Sequence, residues 1–153
     1  MDKYPFEYPM NIQELIEEWS KDAIVNRLDL VTASLDTPKL HAKYYRIYMG
    51  EKARLIQWTN DLKELKLEKY EFLTDGPHSE SPPGWELPAK GKILKADSER
   101  YVEADKLVIT LGQKIDLQKE KTKMLESIIY SINTRNFVIR NAQDMIKFEA
   151  GER

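Results

Sequence analysis

The sequence predicts an all-α fold of long helices joined by a Pro/Gly-rich connector, with the C-terminal helix forming an oligomeric helical assembly. Two long stretches carry apolar residues on alternating three- and four-residue steps, the spacing of a helical seam. Between them, residues 74–92 hold four of the seven prolines and three of the six glycines. A composition of 41% hydrophobic and 33% charged residues is common among proteins of long helices, whose apolar stripes are narrow.

The N-terminal region is predicted to begin with two short helices. Asn11 suits an N-cap, and the acidic residues of the following stretch, 12–19, favour the positive end of a helix. A second helical piece is expected from Leu28 to Leu35. Thr37 as N-cap, with Pro38 at the first helical position, then predicts the start of a new helix.

A long helix is predicted from about Pro38 to Leu73. Glu51 and Lys69 occupy two polar positions of its seam, and Gly50 marks a candidate bend. The apolar seam positions are Tyr44, Tyr48, Leu55, Trp58, Leu62, Leu65 and Phe72.

The connector divides the chain into three predicted regions. Residues 1–73 form a helical region with a basic-aromatic stripe, residues 74–97 form the connector, and residues 98–153 form the C-terminal helices. Trp85 and Leu87 are expected to pin the connector to the body of the protein.

The C-terminal region is predicted to be helical from Ser98 to about Phe148, with a break near Asn133 and Thr134. Because too little other chain is left to cover so long an apolar stripe, the pattern indicates a partner helix. The stripe follows Tyr101, Ala104, Val108, Leu111, Ile115, Gln118, Thr122, Leu125, Ile129, Ile132, Asn136 and Ile139.

Several functional classes lack their sequence signatures. Gly-rich phosphate loops are missing, and the two histidines, His41 and His78, have no context that indicates a metal or catalytic site. The chain has no cysteine, no apolar run near the ~18 residues of a membrane span and no secretory signal pattern. We therefore expect a non-enzymatic protein without a cofactor, located in the cytoplasm.

A basic stripe interleaved with aromatic residues is the candidate binding feature. Residues 1–37 carry 3 basic against 8 acidic side chains, whereas residues 39–70 carry 8 against 4. Lysines in a row suit phosphates, and aromatic rings suit stacked bases. The candidate single-strand-binding residues are Lys63, Lys66, Lys69 and Tyr70. The alternative interpretation of these residues is a solvated face beside a buried aromatic seam.

The C-terminal stretch resembles the UvsY-type recombination mediators of large tailed phages. The resemblance is carried by an Arg-x-Phe-x-Ile-basic unit at 135–140, the triplet Gln-Asp-Met at 143–145 and Phe-Glu-Ala-Gly at 148–151. Shorter similarities lie upstream, at 69–76 and 94–97, in the same order as in the family. The resemblance covers about two thirds of the chain.

Membership in that family implies a protein that binds single-stranded DNA and contacts a single-strand-binding protein and a RecA-type recombinase. It also implies a ring-like homo-oligomer, a hexamer or heptamer, formed through the C-terminal helix. Of two basic family positions that bind DNA, the second matches Lys69; the first falls at Leu67, and Lys66 is taken to supply its charge. The candidate oligomerisation residues are Leu125, Ile129, Ile132, Phe137, Ile139, Met145 and Phe148.

The sequence thus leads to a recombination mediator that binds single-stranded DNA as an oligomer and promotes recombinase loading. The alternative is a coiled-coil or scaffold protein without nucleic-acid binding. An enzyme of unknown type is a more distant third reading.

Overall fold

The computed structural model describes residues 10–151, and this part of the chain is all-α. It contains the helices α1 (Ile12–Asp22), α2 (Leu30–Asp75), α3 (Lys95–Glu103) and α4 (Lys106–Glu149). Their order confirms the predicted fold class of long helices separated by a Pro/Gly-rich connector. No helix in residues 10–151 is both long and apolar enough to cross a membrane.

Helix α1 begins where the sequence predicts. The Asn11 side chain accepts a hydrogen bond from the Glu14 backbone N–H at 2.8 Å, and the Glu14 carboxylate accepts one from the Asn11 N–H at 2.9 Å. This reciprocal capping box satisfies two N–H groups that a helix start would otherwise leave without a partner.

Helix α2 is a single helix of 46 residues with Pro38 inside it, so the predicted interruption at 36–38 is wrong. The start signal lies upstream, at Asp29, whose carboxylate accepts a hydrogen bond from the Thr32 N–H at 3.1 Å. At the other end the chain leaves the helix at Gly76, which has φ +100° and donates its N–H to the Phe72 carbonyl. Glycine adopts this left-handed conformation without the steric cost a Cβ imposes.

The C-terminal helical region is interrupted at a different place from the one expected. Helices α3 and α4 meet at Ala104 and Asp105, whereas α4 continues without a break through Asn133 and Thr134. The Asp105 carboxylate accepts from the N–H groups of Leu107 and Val108 at 2.9 and 3.2 Å, which makes Asp105 the N-cap of α4.

The chain divides into two compact units. The first contains residues 10–53 and 120–151 of the described chain. Its main core consists of Leu15, Tyr44, Leu125, Ile128 and Ile132. A second small core joins Leu30 and Ala33 to Ile139.

Polar groups are also buried in the first unit. Glu51, predicted in the α2 seam, forms an ion pair with Lys121 of α4 at 3.2 Å, and both side chains are at least nine-tenths buried. Tyr44 donates a hydrogen bond to Asp22 at 2.9 Å. Burial and this bond raise the pKa of Tyr44; burial opposes ionisation of Asp22, but hydrogen bonds from Lys43 and Tyr44 outweigh it and lower the Asp22 pKa.

The second unit contains residues 54–119. Its core is formed by Phe72, Leu73, Ile93, Val102 and Val108. Trp85 and Leu87 pack against this core, which confirms that they pin the connector. The Ile93 N–H also donates to the Leu73 carbonyl at 2.8 Å, so the end of the connector is held against the end of α2.

Candidate nucleic-acid interface

The predicted basic row turns around α2 instead of staying on one face. Lys63 is exposed, Lys66 is half-buried and Lys69 is buried. Each three-residue step falls about 60° short of a helical turn, so successive lysines rotate towards the core. The exposed end of the row is therefore Lys63, which forms no ion pair with residues 10–151.

Lys66 is accessible but already paired. Its ammonium lies 2.8 Å from the Glu103 carboxylate of α3, with the two side chains 37% and 55% exposed. An exposed pair of this kind contributes at most about 1 kcal/mol. A phosphate can therefore replace Glu103 at little cost.

Lys69 lies in a closed environment. Its ammonium is 3.0 Å from an Asp105 carboxylate oxygen, and the two side chains are only 10% and 8% exposed. The same ammonium lies 4.6 Å from the Trp85 ring centre and 5.3 Å from that of Phe72. A phosphate would have to compete with Asp105 for this charge inside a cation–π contact.

The aromatic residues near this row have mainly structural contacts. Tyr70 is half-buried and packs against the core of the second unit. Trp58 is half-buried, and the Lys114 ammonium lies 4.1 Å from its ring centre. These aromatic side chains therefore contribute mainly to packing within the second unit.

Four of the seven candidate oligomerisation residues pack within the chain itself. Leu125, Ile132 and Ile139 are buried in the two cores of the first unit, and half-buried Ile129 packs against the larger core. The heptad spacing did not predict that α1 and α2 cover this part of the stripe. Leu125, Ile132 and Ile139 therefore have little surface left for contact with another subunit.

The other three candidates are exposed. Phe137, Met145 and Phe148 are 66%, 58% and 77% exposed, and Tyr130 is 70% exposed. Phe137 and Phe148 lie eleven residues apart, close to three helical turns, and Tyr130 lies seven residues before Phe137. These three aromatic residues share one side of α4, opposite Ile132 and Ile139.

We call Tyr130, Phe137, Met145 and Phe148 the outer face of α4. Large apolar residues on one exposed helix face are typical of an interaction surface. These four residues lie off the heptad stripe at steps of seven, eight and three residues, and this spacing is the sequence signal for the face.

The histidines form no site in the structure. His41 stacks against Tyr45 with ring centres 5.8 Å apart. Among residues 10–151, no group of histidine and acidic side chains is arranged to hold a metal ion.

Comparison with known protein families gives one match over nearly the whole chain. The model of a family described as "Recombination, repair and ssDNA binding protein UvsY" matches residues 18–152. No curated protein matches the sequence.

Solved structures with the same fold include the bacteriophage T4 recombination mediator protein UvsY in several crystal forms. One matches with a TM-score of 0.74 at 20% identity, covering 93% of this chain and 99% of that one. A second has a TM-score of 0.74 at 18% identity and covers 92% and 99% of the two chains. A third has a TM-score of 0.72 at 20% identity and covers 89% and 98%.

Proposed function

Because this chain belongs to the UvsY family, we propose that it is a recombination mediator that binds single-stranded DNA as an oligomer. It promotes loading of a RecA-type recombinase onto strands covered by single-strand-binding protein, in the cytoplasm of the host cell. The observation that carries the proposal is the family match over residues 18–152, and the exposed outer face of α4 supports its oligomeric part.

Oligomerisation is the first step of the proposal. Large exposed apolar side chains on one helix face are a liability in a monomer, and a ring of copies buries them once in each subunit. Phe137, Met145 and Phe148 are the contact residues that the structure leaves accessible. A hexamer or heptamer is the state expected from the family resemblance.

DNA binding is the second step, and it depends on the first. Lys63 and Lys66 provide two phosphate contacts in each subunit, with Lys69 and Tyr70 supporting them from the core side. Two contacts bind weakly, but a ring repeats them along one strand, and linked sites gain affinity through effective concentration. The affinity should fall steeply with salt, with a slope of about −0.7 for each phosphate neutralised.

The proposed mediator works by binding energy alone. A strand held along the ring is bent away from the single-strand-binding protein and presented to the recombinase. This mechanism requires no bond-making group, cofactor or metal.

The second candidate function is a structural scaffold without nucleic-acid binding. The observation in its favour is that Lys66 and Lys69 both hold carboxylates in the structure. The two functions predict opposite results in a titration with DNA.

The experiment is a fluorescence titration of a labelled single strand at two salt concentrations. We expect Lys63→Ala with Lys66→Ala to weaken binding of the strand by about tenfold, which corresponds to about 1.4 kcal/mol in total, without changing the oligomer. Lys39→Ala with Lys123→Ala is the matched control, since both lysines are exposed and make only short-range pairs on their own helices. Equal affinity in both double variants would remove the assigned site, and a wild-type protein that ignores the strand would favour the scaffold.

A further inference from the structure

A cavity of about 510 Å³ opens in the second unit beside Lys69. It lies between the end of α2, the connector and the turn from α3 to α4. Its volume falls within the usual range of small-molecule sites, about 300–1,000 Å³. Most of its wall is apolar or aromatic, with contributions from Leu73, Pro83, Trp85, Pro88, Tyr101 and Leu107.

Two charged side chains that line the cavity are held in place by their own contacts. Lys69 and Asp105 both line it, and their charges neutralise each other across 3.0 Å. Asp105 is fixed further because its other carboxylate oxygen caps α4. Trp85 contacts both the Lys69 ammonium and Phe72, whose ring centre lies 5.5 Å from its own. The position of Trp85 in the cavity wall is therefore fixed by contacts within the protein.

One hydrogen-bond donor at the cavity has no acceptor. The indole Nε1 of Trp85 is buried and makes no hydrogen bond to residues 10–151. A buried donor without a partner costs about 1–3 kcal/mol. Because the atom has almost no accessible surface, the other atoms of the Trp85 side chain form its part of the cavity wall.

The charged residues that line the cavity balance, Lys69 and Lys106 against Glu86 and Asp105, and Lys90 adds a positive charge beside its wall. Lys106 lines the cavity, and the Lys90 ammonium lies 5.7 Å from the ring centre of Tyr101. Within residues 10–151 neither lysine forms an ion pair, and Glu86 also lines the cavity. An anionic group attached to the occupant is thus favoured.

From these features we infer that the cavity takes one unpaired nucleobase of a bound single strand, with its phosphates at Lys90 and Lys106. A base offers flat faces that stack on Trp85 and Tyr101. The aromatic side chain of a partner protein would fit the walls, but it carries no attached anion for the two lysines. This inference rests on the proposed function and specifies where that function reads the bases.

The test compares an oligothymidine with an abasic strand of equal length, using the assembled full chain. Leu107→Trp fills the cavity, and Leu117→Trp is the matched control because Leu117 is exposed on the same helix away from the cavity. We expect Leu107→Trp to weaken binding of the intact strand by about tenfold and of the abasic strand by less than about twofold. Leu117→Trp should bind both strands as the wild type does.

The possible failures are distinguishable. If Leu107→Trp and Leu117→Trp bind both strands equally well, the cavity is not a base site, while single-strand binding stands. If Leu107→Trp weakens both strands equally, it acts on something other than a base, and the inference also fails. If the wild-type protein binds neither strand, the proposed function itself is overturned and this inference with it.

A second measurement avoids reliance on the folding of Leu107→Trp. The wild-type protein is irradiated with a strand that contains 5-iodouracil, and the crosslinked residues are identified by mass spectrometry. Attachment to Trp85 or Tyr101 is the expected result. Attachment confined to other aromatic residues overturns the inference.

Discussion

Two lysines three residues apart on α2 hold carboxylates in contrasting surroundings. The pair between Lys66 and Glu103 is largely in solvent, whereas the pair between Lys69 and Asp105 is almost completely enclosed. In water an ion pair gains little beyond what hydration already gives each charge. In an enclosed site, removal of one partner leaves the other charge buried and alone, which is far more costly. Lys66 is therefore accessible to a ligand, whereas Lys69 contributes mainly to the stability of the fold.

This contrast predicts the stability of two matched variants. Lys69→Ala should lower the free energy of unfolding by about 3–5 kcal/mol, because it leaves Asp105 buried without a counter-charge. Lys66→Ala should lower it by less than about 1 kcal/mol. Both substitutions make the same change in helix propensity, so chemical denaturation of the two variants compares the pairs directly. Similar small losses in both would show that Lys69 is not enclosed in solution.

Sequence reasoning at the residue scale identified the seam but not the partners of its polar positions. The spacing correctly placed Glu51 and Lys69 among buried residues. Their counter-ions, Lys121 and Asp105, lie 70 and 36 residues further along the chain, and neither stands on the predicted heptad positions. The packing of α4 against α2 brings these charges together. Which residues of the two helices lie opposite each other cannot be deduced from the spacing within either helix.

Helix α2 continues through a residue that usually starts or ends helices. Pro38 has no N–H, so the carbonyl four residues earlier loses its helical hydrogen bond. Tyr44, deep in the core, and the Asp29 cap hold the helix on either side of this defect. Tertiary burial thus outweighs a local signal that, taken alone, predicts a helix start.

The continuity of α2 predicts that Pro38→Ala stabilises the protein. The substitution restores one backbone hydrogen bond at an exposed interior position, and we expect the free energy of unfolding to rise by about 1–3 kcal/mol. Thermal denaturation followed by circular dichroism measures the change. If Pro38 instead stood at the first position of a separate helix, its replacement would be neutral or destabilising.

Helix α4 shows why the limits of a helix were harder to predict than its existence. Asn133 and Thr134 have modest helix propensity, but the cost is only a few tenths of a kcal/mol per residue. Burial of Ile132 and Ile139 on both sides of them is worth several times as much. At Asp105, by contrast, the capping side chain and its ion pair to Lys69 stabilise the break between α3 and α4.

At the scale of the whole molecule, the central feature is that the C-terminal part of α4 has apolar residues on two opposite faces. The inner face is covered by α1 and α2 in the first unit, while the outer face carries Tyr130, Phe137, Met145 and Phe148 in the open. The sequence predicted that too little chain was left to cover the heptad stripe, but α1 and α2 cover it from Leu125 to Ile139. The sequence did not separate the residues that complete the subunit from those that remain for a neighbour, because both sets lie within one helix.

The separation of the two faces makes assembly and folding distinguishable. In the proposed oligomer, substitution at the outer face removes the contact between copies, whereas Ile132→Ala removes core packing and should cost about 2–5 kcal/mol of stability. In the proposed function, DNA binding depends on assembly, since one subunit offers too few phosphate contacts. An assembly-deficient but folded subunit should therefore lose the strand.

The most direct measurement is sedimentation velocity of the protein mixed with a fluorescent single strand. We expect the wild-type label to sediment with a species several times the 18.0 kDa subunit mass. Phe137→Glu with Phe148→Glu should sediment as a folded single subunit and leave the strand free at the same protein concentration. A wild-type protein that sediments as a single subunit, or a monomeric double variant that still holds the strand as tightly, would contradict the account.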